Sequence, residues 1–312
     1  VRDDMDDIMD LACREARLFK YGSGTGTDLS TLRSFREKLS GGGTPSGPLA
    51  YESFYDRVAA IVKSGGKTRR AAKMNSLKVR HPDILEFIES KMKEEEKARA
   101  LVKEGYSPRD ASETVAYQNV NFSVRVTDDF MNAVVNDTEW RTHAVHNRDL
   151  DEARNAKGDW IIPRYKAKDL FNRMAKAAWS CGDPGIQYED TINGWHTCPD
   201  SGRIHASNPC SEYMFIDDSS CNLASLNILA FRKPDGSFNV EDFKAAVRVM
   251  VVAMALNYDN SSFPTEKIAD HSHRFRPLGL GYANMGSYLM SLGLPYDSDE
   301  GRALAAAITA LM

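Results

Sequence analysis

Residues 118–130, "QNVNFSVRVTDDF", carry Val120, Phe122, Val124 and Val126 at every second position with polar residues between them, and a helix start follows at about Thr127. That is strand periodicity passing straight into helix. The same succession recurs along the chain. Met5, Ile8, Met9, Ala12, Ala16 and Phe19 share one face of an acidic-fronted helix over 4–19, and a helix is expected from about Ala50 to Val62 before a strand-like "NSLKV". Residues 86–104 mix charges at helical spacing as a solvated helix; 167–181 is amphipathic. Residues 240–256 are so apolar all round that they call for cover on several sides. Strands alternating with helices of this length imply an α/β fold. No internal repeat, low-complexity tract or clear domain boundary interrupts the pattern.

Composition narrows the function. Forty basic against 44 acidic residues leave a net charge of −4, which speaks against a general grip on nucleic acid. No apolar run reaches the roughly 20 residues that a membrane-spanning helix needs, so the expectation is a cytoplasmic protein. The 312 residues open at Val1 inside an acidic helix start and stop in "EGRALAAAITALM", which reads as an internal piece of a longer protein. The five cysteines, Cys13, Cys181, Cys198, Cys210 and Cys221, are odd in number and form no CxxC pair. They fit reduced, reactive thiols better than a secreted disulfide framework.

Three segments carry candidate chemistry. In "SNPCSEYMFIDDSSCNLASLN" (207–227), Asn208, Cys210 and Glu212 alternate, so an extended segment would turn amide, thiol and carboxylate toward one ligand, with Pro209 restraining Asn208. The alternative is a buried structural cysteine in a polar loop. Cys221, ahead of the apolar "NLASLNIL", reads on its own as a core residue. A zinc site recruiting Cys198, Cys210, Cys221 and His196 or His205 lacks the short paired spacing of structural zinc. In "YGSGTGTDLSTLRS", Gly22, Gly24 and Gly26 let the backbone approach a neighbour closely, but a helix precedes them and GxGxxG spacing is absent, so this is no dinucleotide fingerprint. In "SGGKTRRAAKMNSLKV", Lys67, Arg69, Arg70 and Lys73 make a loop basic enough to touch an anion, without phosphate-loop spacing. "RPLGLGYANMGSYL" reads as a tight strand-to-helix turn.

Taken together, "NPCSEYMF" followed by "CNLASLN" resembles the active-site loop of ribonucleotide reductases, in the form typical of the adenosylcobalamin-dependent class. "FKYGSGTGTDLSTLRS", "GGKTRRAAKMNSL", "QNVNFSVRVTDDFM", "TINGWHTCPDSGRI" and "RPLGLGYANMGSYL" resemble the same family in the same order, across essentially the whole chain. The resemblance implies a ten-stranded α/β barrel of two parallel five-stranded half-sheets with a central, buried active-site loop, of which residues 1–312 are a part. It implies that Cys210 becomes a thiyl radical that takes the ribose 3′ hydrogen, that Glu212 accepts the 3′ hydroxyl proton, and that Asn208 binds the substrate hydroxyls. Cys221 would be half of the reducing dithiol, its partner lying before the first helix and outside this sequence, as would the C-terminal thiols recharged by a thioredoxin-type reductant. Ser23 and Gly24 would contact the ribonucleotide. Asp3 and Arg33 would hold a deoxynucleotide effector at a homodimer interface, and Lys67, Arg69 and Arg70 would report it to the substrate. The runners-up are a large subunit served by a separate metal-containing radical subunit, and a nucleotide-binding regulatory module without catalysis.

Overall fold

A computed structural model describes residues 1–62 and 71–312; Lys67, Arg69 and Arg70 lie outside the described residues. The chain divides into two compact units, Val1–Asp217 and Asp218–Met312, a division that the even strand–helix pattern of the sequence does not signal.

In the first unit, four parallel strands, β1 (Thr25–Asp28), β2 (Lys73–Lys78), β3 (Val120–Val126) and β6 (Gly185–Tyr188), lie side by side in the order β1-β2-β3-β6. α1 (Met5–Lys20) precedes β1, and between the strands come α2 (Pro48–Ile61), α3 (Ile84–Lys103), α4 (Pro108–Thr114), α5 (Asp128–Val135) and α6 (Ala167–Cys181). A small antiparallel pair, β4 (Glu139–Arg141) and β5 (Arg164–Lys166), and α7 (Glu189–Gly194) complete the unit. Local chemistry accounts for the helix ends. Asp4 caps α1 by accepting the Asp7 N–H at 3.0 Å, with Asp6 and Asp7 at its positive end and Arg17 and Lys20 at its negative end. Pro48 opens α2, and left-handed Gly182 closes α6.

The two faces of this sheet differ in kind. One packs on helices: Leu77, Val120, Phe122, Val124 and Val126 meet Ile8, Tyr55, Phe87, Ile88, Leu170 and Met174 in one continuous core. Nearer the amino ends of the strands that face turns polar. Glu15 of α1 accepts from Thr25 at 3.0 Å, from Thr27 at 3.2 Å and from the Lys73 ammonium, while Glu52 of α2 accepts from the Asn75 amide at 2.7 Å. Because helices cover one side and a chain segment crosses the other, β3 is buried at every position but Asn121, where simple alternation predicts half exposure.

The second unit pairs β7 (Asn222–Asn227) with β8 (Leu278–Ala283) in parallel, connected through α8 (Val240–Asn260) and α9 (Glu266–Phe275). Left-handed Asn284 turns the chain from β8 into α10 (Met285–Ser291), the expected strand-to-helix turn, and α11 (Asp299–Leu311) follows. Leu226, Ile228, Phe243, Val247, Tyr288 and Ile308 form its core. Within the described chain α8 is covered on one side only: Val249 is 69% exposed and Val252 57%, because the unit's own core uses only the Phe243, Val247, Met254 and Tyr258 stripe.

The α/β class with parallel sheets is thus observed, and no closed barrel forms among the described residues. No helix among them is long and apolar enough to cross a membrane.

Candidate active site

The sheet face away from the helices presents Gly26, Met74, Asn121, Arg125 and Gln187, and residues 204–211 run across it. The approach is very close. A Cβ on Gly26 would stand 1.5 Å from the Ser207 carbonyl oxygen, and one on Gly24 would stand 2.9 Å from Pro209 Cγ. The expected close approach at the alternating glycines is therefore real, and what comes close is the chain's own cysteine loop. Ser23 is exposed at the rim, its hydroxyl donating to the Gly24 carbonyl at 3.1 Å.

At the end of this crossing the chain turns back. The Ser211 N–H donates to the Asn208 carbonyl at 3.1 Å, closing a four-residue turn with Pro209 second and Cys210 third, and Ser211 takes a left-handed φ of 64°. The Asn208 side-chain oxygen accepts the Tyr213 N–H at 2.9 Å, and the Asn121 amide donates to the Pro209 carbonyl at 3.0 Å. Two expectations change here. Asn208, Cys210 and Glu212 lie around a turn, so strand alternation does not aim them. The loop is buried only in part: Ile204 and Ser207 lie against the sheet, while at the turn tip Cys210 and Glu212 are exposed within the described chain.

Beneath the turn lies a buried polar chain that sequence reasoning did not single out. Arg125, 0% exposed, donates to Gln187 Oε1 at 3.1 Å and to the Ile204 carbonyl at 3.0 Å, and pairs with Glu189 at 3.4 Å. Gln187 in turn donates to the hydroxyls of Ser207 at 2.8 Å and Ser211 at 3.0 Å. Burial pushes the Glu189 carboxyl up, but Lys78, Arg125 and Arg203 outweigh it and hold it below its ordinary value. The sequence carried no signal of this chain, because Arg125 falls on the polar positions of an alternating strand and reads as solvent-facing.

A cleft of about 460 Å³ adjoins the same turn, walled by Ile186, Tyr188, Ile192, Trp195 and Met214, with Gln187 and Ser211 at its edge. Trp195 is 83% exposed there.

Cys221 belongs to the second unit, half-buried immediately before β7. Its neighbours are tied down by Tyr258, whose hydroxyl accepts the Asn222 N–H at 3.1 Å and lies 2.6 Å from the Pro277 carbonyl and 3.1 Å from that of Ser220. This tyrosine too was not foreseen. No cysteine is disulfide-bonded. Among the described residues no three histidine, cysteine or acidic side chains gather as a metal site.

Asp3 and Arg33 are brought together directly. Arg33 Nε donates to the Asp3 carboxylate at 2.5 Å, and His146 Nε2 approaches the same carboxylate at 2.9 Å. The base of this corner is Glu37, whose oxygens accept backbone N–H groups from Ser34, Val145, His146 and Asn147 at 2.7–3.0 Å. Burial pushes the Glu37 carboxyl up, and these four donors together bring it below its ordinary value.

The family model for the ribonucleotide reductase barrel domain matches residues 1–312. The chain is 58% identical over its whole length to a vitamin B12-dependent ribonucleotide reductase of Rhodopirellula baltica, covering 29% of that protein. It is 51% identical to one of Streptomyces avermitilis, again over its whole length and 32% of the relative. Over 98% of its length it is 34% identical to a vitamin B12-dependent ribonucleoside-diphosphate reductase of Mycobacterium tuberculosis, covering 40% of that protein. The chain spans about a third of the length of the curated relatives it matches.

Proposed function

The chain belongs to the ribonucleotide reductase barrel-domain family, and on that footing we propose that it is part of the catalytic barrel of an enzyme that reduces ribonucleotides to 2′-deoxyribonucleotides by a thiyl radical. The observation that carries this reading is Cys210 at the tip of a turn braced from below, with Asn208 and Glu212 in the same turn and its immediate continuation. A thiol tip in the open can meet a substrate; a thiol buried in a core cannot.

In this reading the Cys210 sulfur radical removes the ribose 3′ hydrogen while Glu212 accepts the 3′ hydroxyl proton, which eases loss of the 2′ hydroxyl as water. Asn208 orients the hydroxyls. Cys221 and a second thiol give up two hydrogens and become a disulfide, and Cys210 returns its hydrogen to the 3′ carbon. Atoms and electrons balance as ribonucleotide plus dithiol going to deoxyribonucleotide, disulfide and water. A thioredoxin-type reductant then restores the dithiol through C-terminal thiols. Ser23 and Gly24 at the rim contact the nucleotide.

The names of the relatives favour adenosylcobalamin over a separate radical subunit. Beside the thiol turn, Tyr188 and Trp195 would give part of a large ring system aromatic surface to lie against, with Met214 at the same cleft. When bound, that group supplies the one-electron chemistry that converts a thiol to a sulfur radical.

The same reading makes the chain part of a ten-stranded barrel, assigns Asp3 and Arg33 to a deoxynucleotide effector at a homodimer interface, and gives Lys67, Arg69 and Arg70 the task of reporting it. It makes the enzyme cytoplasmic. Cys210→Ala in the full-length protein should abolish deoxynucleotide formation while leaving effector affinity unchanged; turnover in that variant would sink the assignment.

A further inference from the structure

We propose that Gln187 is the positioning residue for the Cys210 thiol, holding the hydroxyls of Ser207 and Ser211 so that the turn between them keeps one shape. The inference rests on Cys210 being the reactive thiol and goes beyond it by naming what sets its place.

The geometry allows one assignment of the amide. Arginine only donates, so the oxygen of Gln187 must face Arg125 Nη1 at 3.1 Å. Its nitrogen then carries two hydrogens toward two acceptors, Ser207 Oγ at 2.8 Å and Ser211 Oγ at 3.0 Å. Both hydrogens of the amide nitrogen are used and its oxygen accepts from Arg125, at a position 3% exposed to solvent. Gln187 and Arg125 are paired in the register of β6 and β3, so both side chains leave the sheet on the same face and the contact needs no distortion.

The serines carry this constraint to Cys210. Ser207 donates to the Asn208 carbonyl at 3.0 Å, the oxygen that also accepts the turn-closing Ser211 N–H at 3.1 Å. Ser211 holds a left-handed backbone, a costly conformation for a residue with a side chain, and it persists where surroundings over-determine it. The bond from Gln187 is one such determinant. A shorter or absent side chain at 187 removes one hydrogen bond from each serine, leaving Ser207 its bonds to the Asn208 carbonyl and to Ser211, takes one of three acceptors from the fully buried Arg125, and lets the turn relax. Hydrogen abstraction demands contact between sulfur and one C–H, so a displacement on the order of 1 Å costs about 100-fold in rate.

The test uses the full-length enzyme with its cobalamin cofactor. Gln187→Ala is expected to lower kcat by about 100-fold with KM for the ribonucleotide within about twofold, and to raise amide hydrogen exchange across 207–214 while β2 and β3 stay protected. Ser211→Ala, which leaves Arg125 and Gln187 paired, should move the same two readouts in the same direction by less. A Gln187→Ala enzyme with kcat near that of the parent overturns the proposal, and so does exchange rising equally through β2 and β3, which marks a general loss of structure. Cys210→Ala run alongside separates the two readings: if it is dead while Gln187→Ala is fully active, the positioning role alone falls; if it turns over, the thiyl assignment falls with it.

Discussion

Gly26 shows how one atom governs where the cysteine loop lies. Its missing Cβ leaves room for the Ser207 carbonyl, and alanine there would put a carbon 1.5 Å from that oxygen. No rotamer relieves a clash between Cβ and backbone, so Gly26→Ala must push the loop off the sheet. We expect destabilisation of about 1–3 kcal/mol, read as a lower denaturation midpoint, together with a fall in turnover; an alanine variant with parental stability and rate contradicts this packing. At this scale the sequence was partly legible. Alternating glycines announce a close approach, but the partner, Ser207, is remote in sequence and only the fold identifies it. The alternation of Asn208, Cys210 and Glu212 misled, because Pro209 at the second position and a left-handed Ser211 make a turn where period-two reasoning assumes a strand. Gln187 and Tyr258 gave no signal, since a buried hydrogen-bonding role leaves no local pattern in a single sequence.

The helices and the central strands were legible as elements because apolar periodicity and capping residues are local. What each element buries was less so. Residues 240–260 look apolar on every side, yet the described chain covers only one stripe of them. The reverse holds on the helix-facing side of β1 and β2, where Glu15, Glu52, Lys73 and Asn75 sit buried; Lys73, expected in an anion-touching loop, instead opens β2 and is paired with Glu15. Glu52 is the group with a measurable consequence. Burial, opposed by Lys73 and Asn75 and reinforced by Glu15 and Asp56, pushes its carboxyl from 4.5 up to about 8. The folded chain therefore keeps a proton there that the unfolded chain releases above 4.5, so stability is lost as pH rises through that window, at up to about 1.4 kcal/mol per pH unit. Denaturation midpoints between pH 5 and pH 8 should fall less steeply for Glu52→Gln than for the parent; equal slopes would mean that Glu52 is ionised in the folded state.

For the molecule as a whole, the parallel sheet and the thiol turn on one of its faces belong to the first unit, and Cys221 with its Tyr258 clamp belongs to the second. The family was legible in six ordered motifs, whereas the barrel was legible only by resemblance: strand–helix alternation fixes the class of sheet and says nothing about its closure. The chemistry proposed for the complete enzyme turns on a single event, transfer of the ribose 3′ hydrogen to Cys210. Its most direct measurement is deoxynucleotide formation by the full-length enzyme from a ribonucleotide carrying deuterium at the 3′ carbon, set beside the unlabelled substrate. The account predicts slower turnover of the deuterated substrate by the parent enzyme and no product from either substrate with Cys210→Ala. Equal rates for the two substrates, with product still formed by Cys210→Ala, would contradict it.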